Sequence, residues 1–146
     1  MDINHVNEQK ICTSIVNDMP RESVRELLEL AEKAPINIIS TPKAGLNMMH
    51  VLDAFDSEFL LGEVLVSSAE VTLDGKRGFG MVTGDEPERS LARACAEVLL
   101  NGENELLKNR VQKLLERERQ RLNEQRRHEE QLIAGTKVSF DLMAGQ

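Results

Sequence analysis

Apolar positions along this chain change period twice. Over the first 34 residues they recur every three to four positions. Ile11, Cys12, Ile15 and Val16 share one helical face, and Val24, Leu27, Leu28 and Ala31 share another. Pro20 suits the first turn of the second helix, and Pro35 ends it, because the residue before a proline is pushed out of the α region. The period then falls to two. Residues 36–39 predict a short strand, 41–45 a loop and 46–55 a second strand, and after a connection at 56–58 a long strand starts at Phe59.

That long strand runs to Asp74-Gly75, a pair whose two positions both take φ > 0 in a tight hairpin turn. A two-residue turn there sets Val71 opposite Gly78, Ala69 opposite Gly80 and Ser67 opposite Val82 on one face. Thr72/Arg77, Glu70/Phe79 and Ser68/Met81 share the other. The first face is made mostly of small residues, which lets a helix or a partner's backbone approach closely.

After Gly84 the helical period returns. Asp85 is the expected N-cap of a helix starting near Glu86, with Pro87 in its first turn and Glu88 closing a capping box. Leu91, Ala94, Cys95, Val98 and Leu99 form its buried stripe, with Ala92 and Ala96 as small neighbours. Asn101-Gly102 breaks it, and a last helix runs from Glu103 towards Ala134, roughly 45 Å at 1.5 Å per residue. Leu106, Leu107, Val111, Leu114 and Leu115 line one face of its first turns. Between Arg117 and Glu130 only Leu122 is large and apolar, and Leu132 and Ile133 resume the pattern. Core burial cannot hold such a stretch, so it reads as a projecting arm on a partner. The pairs Glu116/Arg119, Glu124/Arg127 and Arg126/Glu130 would add about 0.2–0.5 kcal/mol each. A self-associating coiled coil needs sustained apolar heptads, which the arm lacks.

The pattern predicts an α+β fold: an antiparallel meander of three or four strands packed by helices, with a long C-terminal helical arm. One domain over 1–146 is expected, with a helical region at 1–34, the sheet at 36–84, helices at 85–134 and an extended tail at 136–146.

Charge and composition narrow the function. The net charge is −7 over 146 residues, with four aromatics, all Phe. A duplex-binding role would need phosphate neutralisation, and single-strand binding would need stacking aromatics beside a basic groove. Residues 1–100 hold 9 Lys/Arg against 17 Asp/Glu, and residues 101–146 hold 9 against 8. No apolar run approaches the roughly 20 residues of a membrane span, and the first ten residues lack a signal peptide's basic start and apolar core. Cys12 and Cys95 have no CxxC partner and read as reduced, buried thiols of a cytoplasmic protein.

Candidate chemistry is sparse. Glu22, Glu26, Glu29 and Glu32 stand where a DNA-recognition helix would carry Arg, Asn or Gln. Gly78, Gly80 and Gly84 miss the dinucleotide spacing and precede the strand's end. His5, His50 and His128 are isolated, and His50, alternating with Met48 and Leu52, reads as a half-buried strand histidine. Glu63, Glu70, Asp85, Glu88 and Arg89 are the remaining polar candidates. A helix N-terminus beside Arg89 suits phosphate, but the acids already there would repel an anion, so capping is expected. Arg117, Arg119, Arg121, Arg126 and Arg127 form the dense basic cluster: a solvated helix by default, otherwise a seam to an acidic partner or an arm over a polyphosphate. No catalytic, cofactor-binding or metal residue is assigned.

Four segments in order resemble the G subunit of the bacterial carbon–phosphorus lyase system, the PhnG family. They are Leu61-Gly62-Glu63-Val64-Leu65-Val66, Gly78-Phe79-Gly80-Met81-Val82, Gly84-Asp85-Glu86-Pro87-Glu88-Arg89 and Thr136-Lys137-Val138-Ser139-Phe140-Asp141-Leu142-Met143. The resemblance spans about Gly45 to Met143, and the N-terminal stretch fits it only loosely. It implies a small cytoplasmic subunit working with the H, I and J subunits of phosphonate degradation, the I subunit most intimately. With the H and I subunits it would serve transfer of the ribose triphosphate of ATP to a phosphonate such as methylphosphonate, releasing adenine. It implies no cofactor on this chain alone, with ATP a substrate of the complex, and docking through arm, hairpin and the tail at Phe140 and Met143. The alternative class is a homodimeric helical adaptor without enzymatic role, and a third is a small-ligand enzyme using Glu63, His50 and Glu70.

Overall fold

The two-residue turn at Asp74-Gly75 fixes the centre of the molecule. In a computed structural model, which describes residues 13–136, Asp74 (φ 50°) and Gly75 (φ 77°) close a hairpin between β2 (Glu58–Leu73) and β3 (Lys76–Thr83). Its register pairs Val71 with Gly78, Ala69 with Gly80 and Ser67 with Val82, as the turn dictates. β1 (Asn37–Leu52) pairs antiparallel with the other edge of β2, giving a three-stranded meander in the order β1-β2-β3.

Residues 36–55 do not form two strands around a loop. β1 runs unbroken through Pro42, with register shifts between Ile38 and Ser40 and between Ser40 and Lys43. β1 is an edge strand, and a proline's missing N–H is tolerated at an edge or an irregularity of the ladder.

Three helices pack on one face of this sheet. α1 (Arg21–Ala31) follows a short 3₁₀ turn at Ile15–Asn17, α2 (Pro87–Leu100) follows β3, and α3 (Glu105–Thr136) ends the described chain. α2 lies between the sheet and the other helices. It buries Ser90, Ala92, Ala94, Cys95, Ala96, Val98, Leu99 and Leu100, as a helix covered on nearly all sides must. Val71 and Leu73 meet it from the sheet, and Val16, Met19, Val24, Leu27, Val111, Leu114 and Leu115 complete the core.

The small-residue face has a definite purpose. A Cβ on Gly80 would overlap the Ser90 carbonyl oxygen and stand 2.8 Å from Ala94 N, and one on Gly78 would stand 2.6 Å from Val98 Cγ1. The glycines therefore bring the α2 backbone onto the strand. Of the two expected occupants, a helix or a partner's backbone, this face takes the chain's own helix.

Two elements leave the body. β3 pairs only with residues 66–73, so β1 and β2 continue beyond it as a two-stranded ribbon whose paired part is roughly 26 Å long. α3 is 32 residues, about 48 Å. Its first turns bury Leu107, Val111, Leu114 and Leu115, whereas Leu106 faces solvent at 64% exposure. Beyond Glu118 it is exposed except at half-buried Leu122, the projecting arm its polar stretch predicts. The expected helix of Ile11, Cys12, Ile15 and Val16 is described only from residue 13 on, and the expected tail lies outside the described residues except for Thr136.

Candidate functional site

At the start of α2 the cap differs from the expected one. Glu86 (φ −136°, ψ 61°) is the N-cap residue and Pro87 opens the helix, with no side-chain bond from Asp85 or Glu88. Ser67, wholly buried on β2, satisfies the junction instead. Its Oγ accepts from Glu86 N at 2.8 Å and donates to the Gly84 carbonyl at 2.7 Å, and Ser90 Oγ donates to the Pro87 carbonyl at 2.7 Å. A buried strand hydroxyl out-competes solvent-exposed carboxylates here because it is already held beside the loop.

Two arginines of α2 then staple the chain's beginning to the body. Arg89 Nη1 donates to the Val16 and Met19 carbonyls at 2.9 and 2.6 Å, and its Nε lies 3.8 Å from Glu86 Oε2. Arg93 Nη1 donates to Asn17 Oδ1 at 3.0 Å and to the Met81 carbonyl at 2.9 Å. Arg89 is thus committed to backbone carbonyls rather than poised for an anion. It borders a cavity of about 440 Å³ between α1 and the start of α2, with Arg21 and Arg25 facing Asp85, Glu86 and Glu88. The mixture of signs gives no preference for a phosphate.

The base of the arm is an ion-pair network. Glu118, 3% exposed, accepts from Ser23 Oγ at 2.8 Å and from Arg121 Nε at 2.9 Å, with Arg117 at 3.3 Å. Burial by itself would raise its pKa, but the hydrogen bonds from Arg121, Ser23 and Arg117 outweigh it and hold the carboxyl below its ordinary value. Arg117 also reaches Glu26 at 2.7 Å, and that hydrogen bond raises the guanidinium's pKa. Arg119 pairs with Glu116 at 3.2 Å, and Arg126 lies 3.8 Å from Asp18. Of the three anticipated arm pairs the first forms, while Arg126 turns to Asp18 and Gln125 bonds Glu129 at 3.1 Å. The basic cluster is therefore largely engaged within the chain. Glu118, which no spacing singles out, is its hub.

The three residues of the small-ligand reading do not converge. His50 is exposed rather than half-buried, with Nδ1 3.0 Å from Glu58 Oε1 on the ribbon. Glu63 is exposed beside Met48, and Glu70 pairs with Arg77. Glu63 and Glu70, seven positions apart on one strand, point to opposite faces of the sheet. Among the described residues no group of His, Cys, Asp and Glu is placed to hold a metal ion, and every buried side-chain polar atom has a partner. Cys95 is a free, buried thiol, and burial pushes its pKa up to about 11. Cys12 lies outside the described residues. Among those residues no helix is long and apolar enough to cross a membrane.

What stands open is apolar. The ribbon exposes Leu46, Met48, Met49, Leu52, Phe55, Phe59, Leu60, Leu61 and Leu65, Phe55 at 88%. These features define a small α+β protein, a helix-packed antiparallel meander with an exposed apolar ribbon. The chain belongs to the phosphonate metabolism protein PhnG family, whose model matches residues 8–145. Its role is in phosphonate metabolism. No curated protein matches the chain.

Proposed function

We propose that this protein is an accessory subunit of a cytoplasmic carbon–phosphorus lyase complex. With the H and I subunits it would serve transfer of the ribose triphosphate of ATP to a phosphonate such as methylphosphonate. In that step the bond from ribose C1′ to adenine breaks, a phosphonate oxygen bonds C1′, and adenine leaves with a proton. The I subunit is the most intimate partner, and the J subunit joins the same assembly. The observation that carries the reading is the pairing of PhnG family membership with two elements the fold leaves uncovered, the ribbon and the arm. The scattered positions of His50, Glu63 and Glu70 favour a supporting role over a complete active site on this chain.

The test is adenine release from ATP and methylphosphonate by purified H and I subunits, with and without this chain. Release should require it. Equal rates without it would refute the reading, and a stable homodimer of this chain with no affinity for the other subunits would favour a self-assembling adaptor.

A further inference from the structure

The part of the ribbon beyond β3, residues 46–65, has no structural reason to be apolar. An isolated two-stranded hairpin is marginal in water, and large exposed apolar patches on soluble proteins mark interaction sites. Here the apolar side chains occupy both faces. Leu46, Met48 and Leu60 continue the face that carries the core nearer the body, while Met49, Val51 and Phe59 lie on the opposite one. A strand pair that docks flat on a partner needs one apolar face; a strand pair with two is built to be covered on both sides.

The ribbon is also pre-shaped. Asp53 Oδ1 accepts from Phe55 N at 2.8 Å and Ser57 N at 2.9 Å, tying the tip, and Asp56 takes a positive φ of 59° within it. Between Met49/Gly62 and His50/Leu60 the register shifts by one residue at a bulge, where Gly62 has φ 152°. Such order in a solvent-exposed element lowers the conformational entropy lost on docking.

Charge decides what covers it. Residues 46–65 carry Asp53, Asp56, Glu58 and Glu63 and no Lys or Arg, a net of −4. A second copy stacked on this ribbon would bring −8 into one contact, and like charges across an interface cost several kcal/mol. We propose that the ribbon is a docking finger inserted into an apolar cleft, rimmed by Lys and Arg, on a different protein chain. This rests on the subunit reading and assigns it a surface: the β1–β2 ribbon, not the β2–β3 hairpin, whose small-residue face is already filled by α2.

The test measures binding of this chain to the purified I, H and J subunits, separately and together. Leu46→Asp and Leu60→Asp should each weaken the interaction roughly 30-fold or more, the effect of losing a central apolar anchor. Leu106→Asp, at an equally exposed apolar site on the body outside both ribbon and arm, should stay within about threefold. Glu63→Lys should slow association at low salt, with the difference vanishing at high salt. Because Leu46 and Leu60 are exposed, the isolated variants should melt like the wild type, which separates lost binding from lost folding. Ribbon variants that bind like the wild type would overturn the finger while leaving the subunit reading intact. Wild-type protein that binds none of the three subunits would overturn that reading and the finger with it. A dimer of the isolated chain that Leu60→Asp splits would overturn it in favour of a second copy.

Discussion

Replacing Gly80 by alanine tests the packing that organises this fold. The added methyl would overlap the Ser90 carbonyl oxygen, with Ala94 N 2.8 Å and Ser90 C 3.0 Å away. Carbon contacts are most favourable near 3.5–4.0 Å, so α2 or β3 must retreat by about 1 Å. A gap of that size forfeits about a quarter to a half of the dispersion energy at each contact it opens. The contacts at stake are those of α2, the layer that Val71 and Leu73 meet from one side and Leu27, Val111 and Leu115 from the other. Over-packing usually costs about 1–3 kcal/mol. Here both partners are backbone and neither can rotate away, so the cost should reach about 3 kcal/mol. Total stability of a domain is about 5–15 kcal/mol. In urea, with a slope near 2 kcal/mol/M, the unfolding midpoint should fall by roughly 1.5 M at unchanged slope. Gly45→Ala is the control. It lies in the same sheet with nothing within 4 Å of its added Cβ, so it should be neutral or stabilising by about 0.5 kcal/mol. A loss below about 1 kcal/mol for Gly80→Ala would refute the close approach of helix and strand.

Three further outcomes follow from individual residues. Ser67→Ala removes both bonds at the β3–α2 junction and should cost about 1–2 kcal/mol in chemical denaturation, with Ser67→Thr giving no rescue because the site is fully buried. Glu118→Ala strands the Ser23 hydroxyl and takes a partner from Arg121 and from Arg117, which keeps Glu26, and should cost about 2–3 kcal/mol. Because its folded pKa is lowered, Glu118 contributes stability above the ordinary value of 4.5 and loses it as pH falls through the folded value. The wild type should therefore lose more stability than Glu118→Gln on acidification below pH 4.5. Cys95, raised from 9.0 to about 11, has roughly 100-fold less thiolate than an ordinary thiol at pH 8. In a Cys12→Ser background its alkylation should be slow by that factor until the chain is unfolded, and equal rates in both states would contradict its burial.

The sheet and helices were legible where local chemistry dictates geometry. Asp74-Gly75 sets the β2–β3 register by itself, because a two-residue turn leaves no freedom in the pairing. The α2 stripe and the polar arm follow from the 3.6-residue period. Pro42 misled because sequence does not say that β1 is an edge strand. Leu106 and His50 misled because periodicity gives a face but not whether anything covers it. The bonds that Ser67, Arg89 and Glu118 make escaped because their partners lie 17 to 95 residues away.

The sequence by itself determined the helix–sheet–helix order and the register of the hairpin, since turn chemistry and period are local. Only the tertiary structure decided which apolar residues are core and which are surplus. β3 is 8 residues long whereas β1 and β2 are 16 each, so about half of each runs past β3. An alternating strand looks the same in sequence whether its apolar face meets a helix, a partner or water. That distinction depends on what else the chain places beside it.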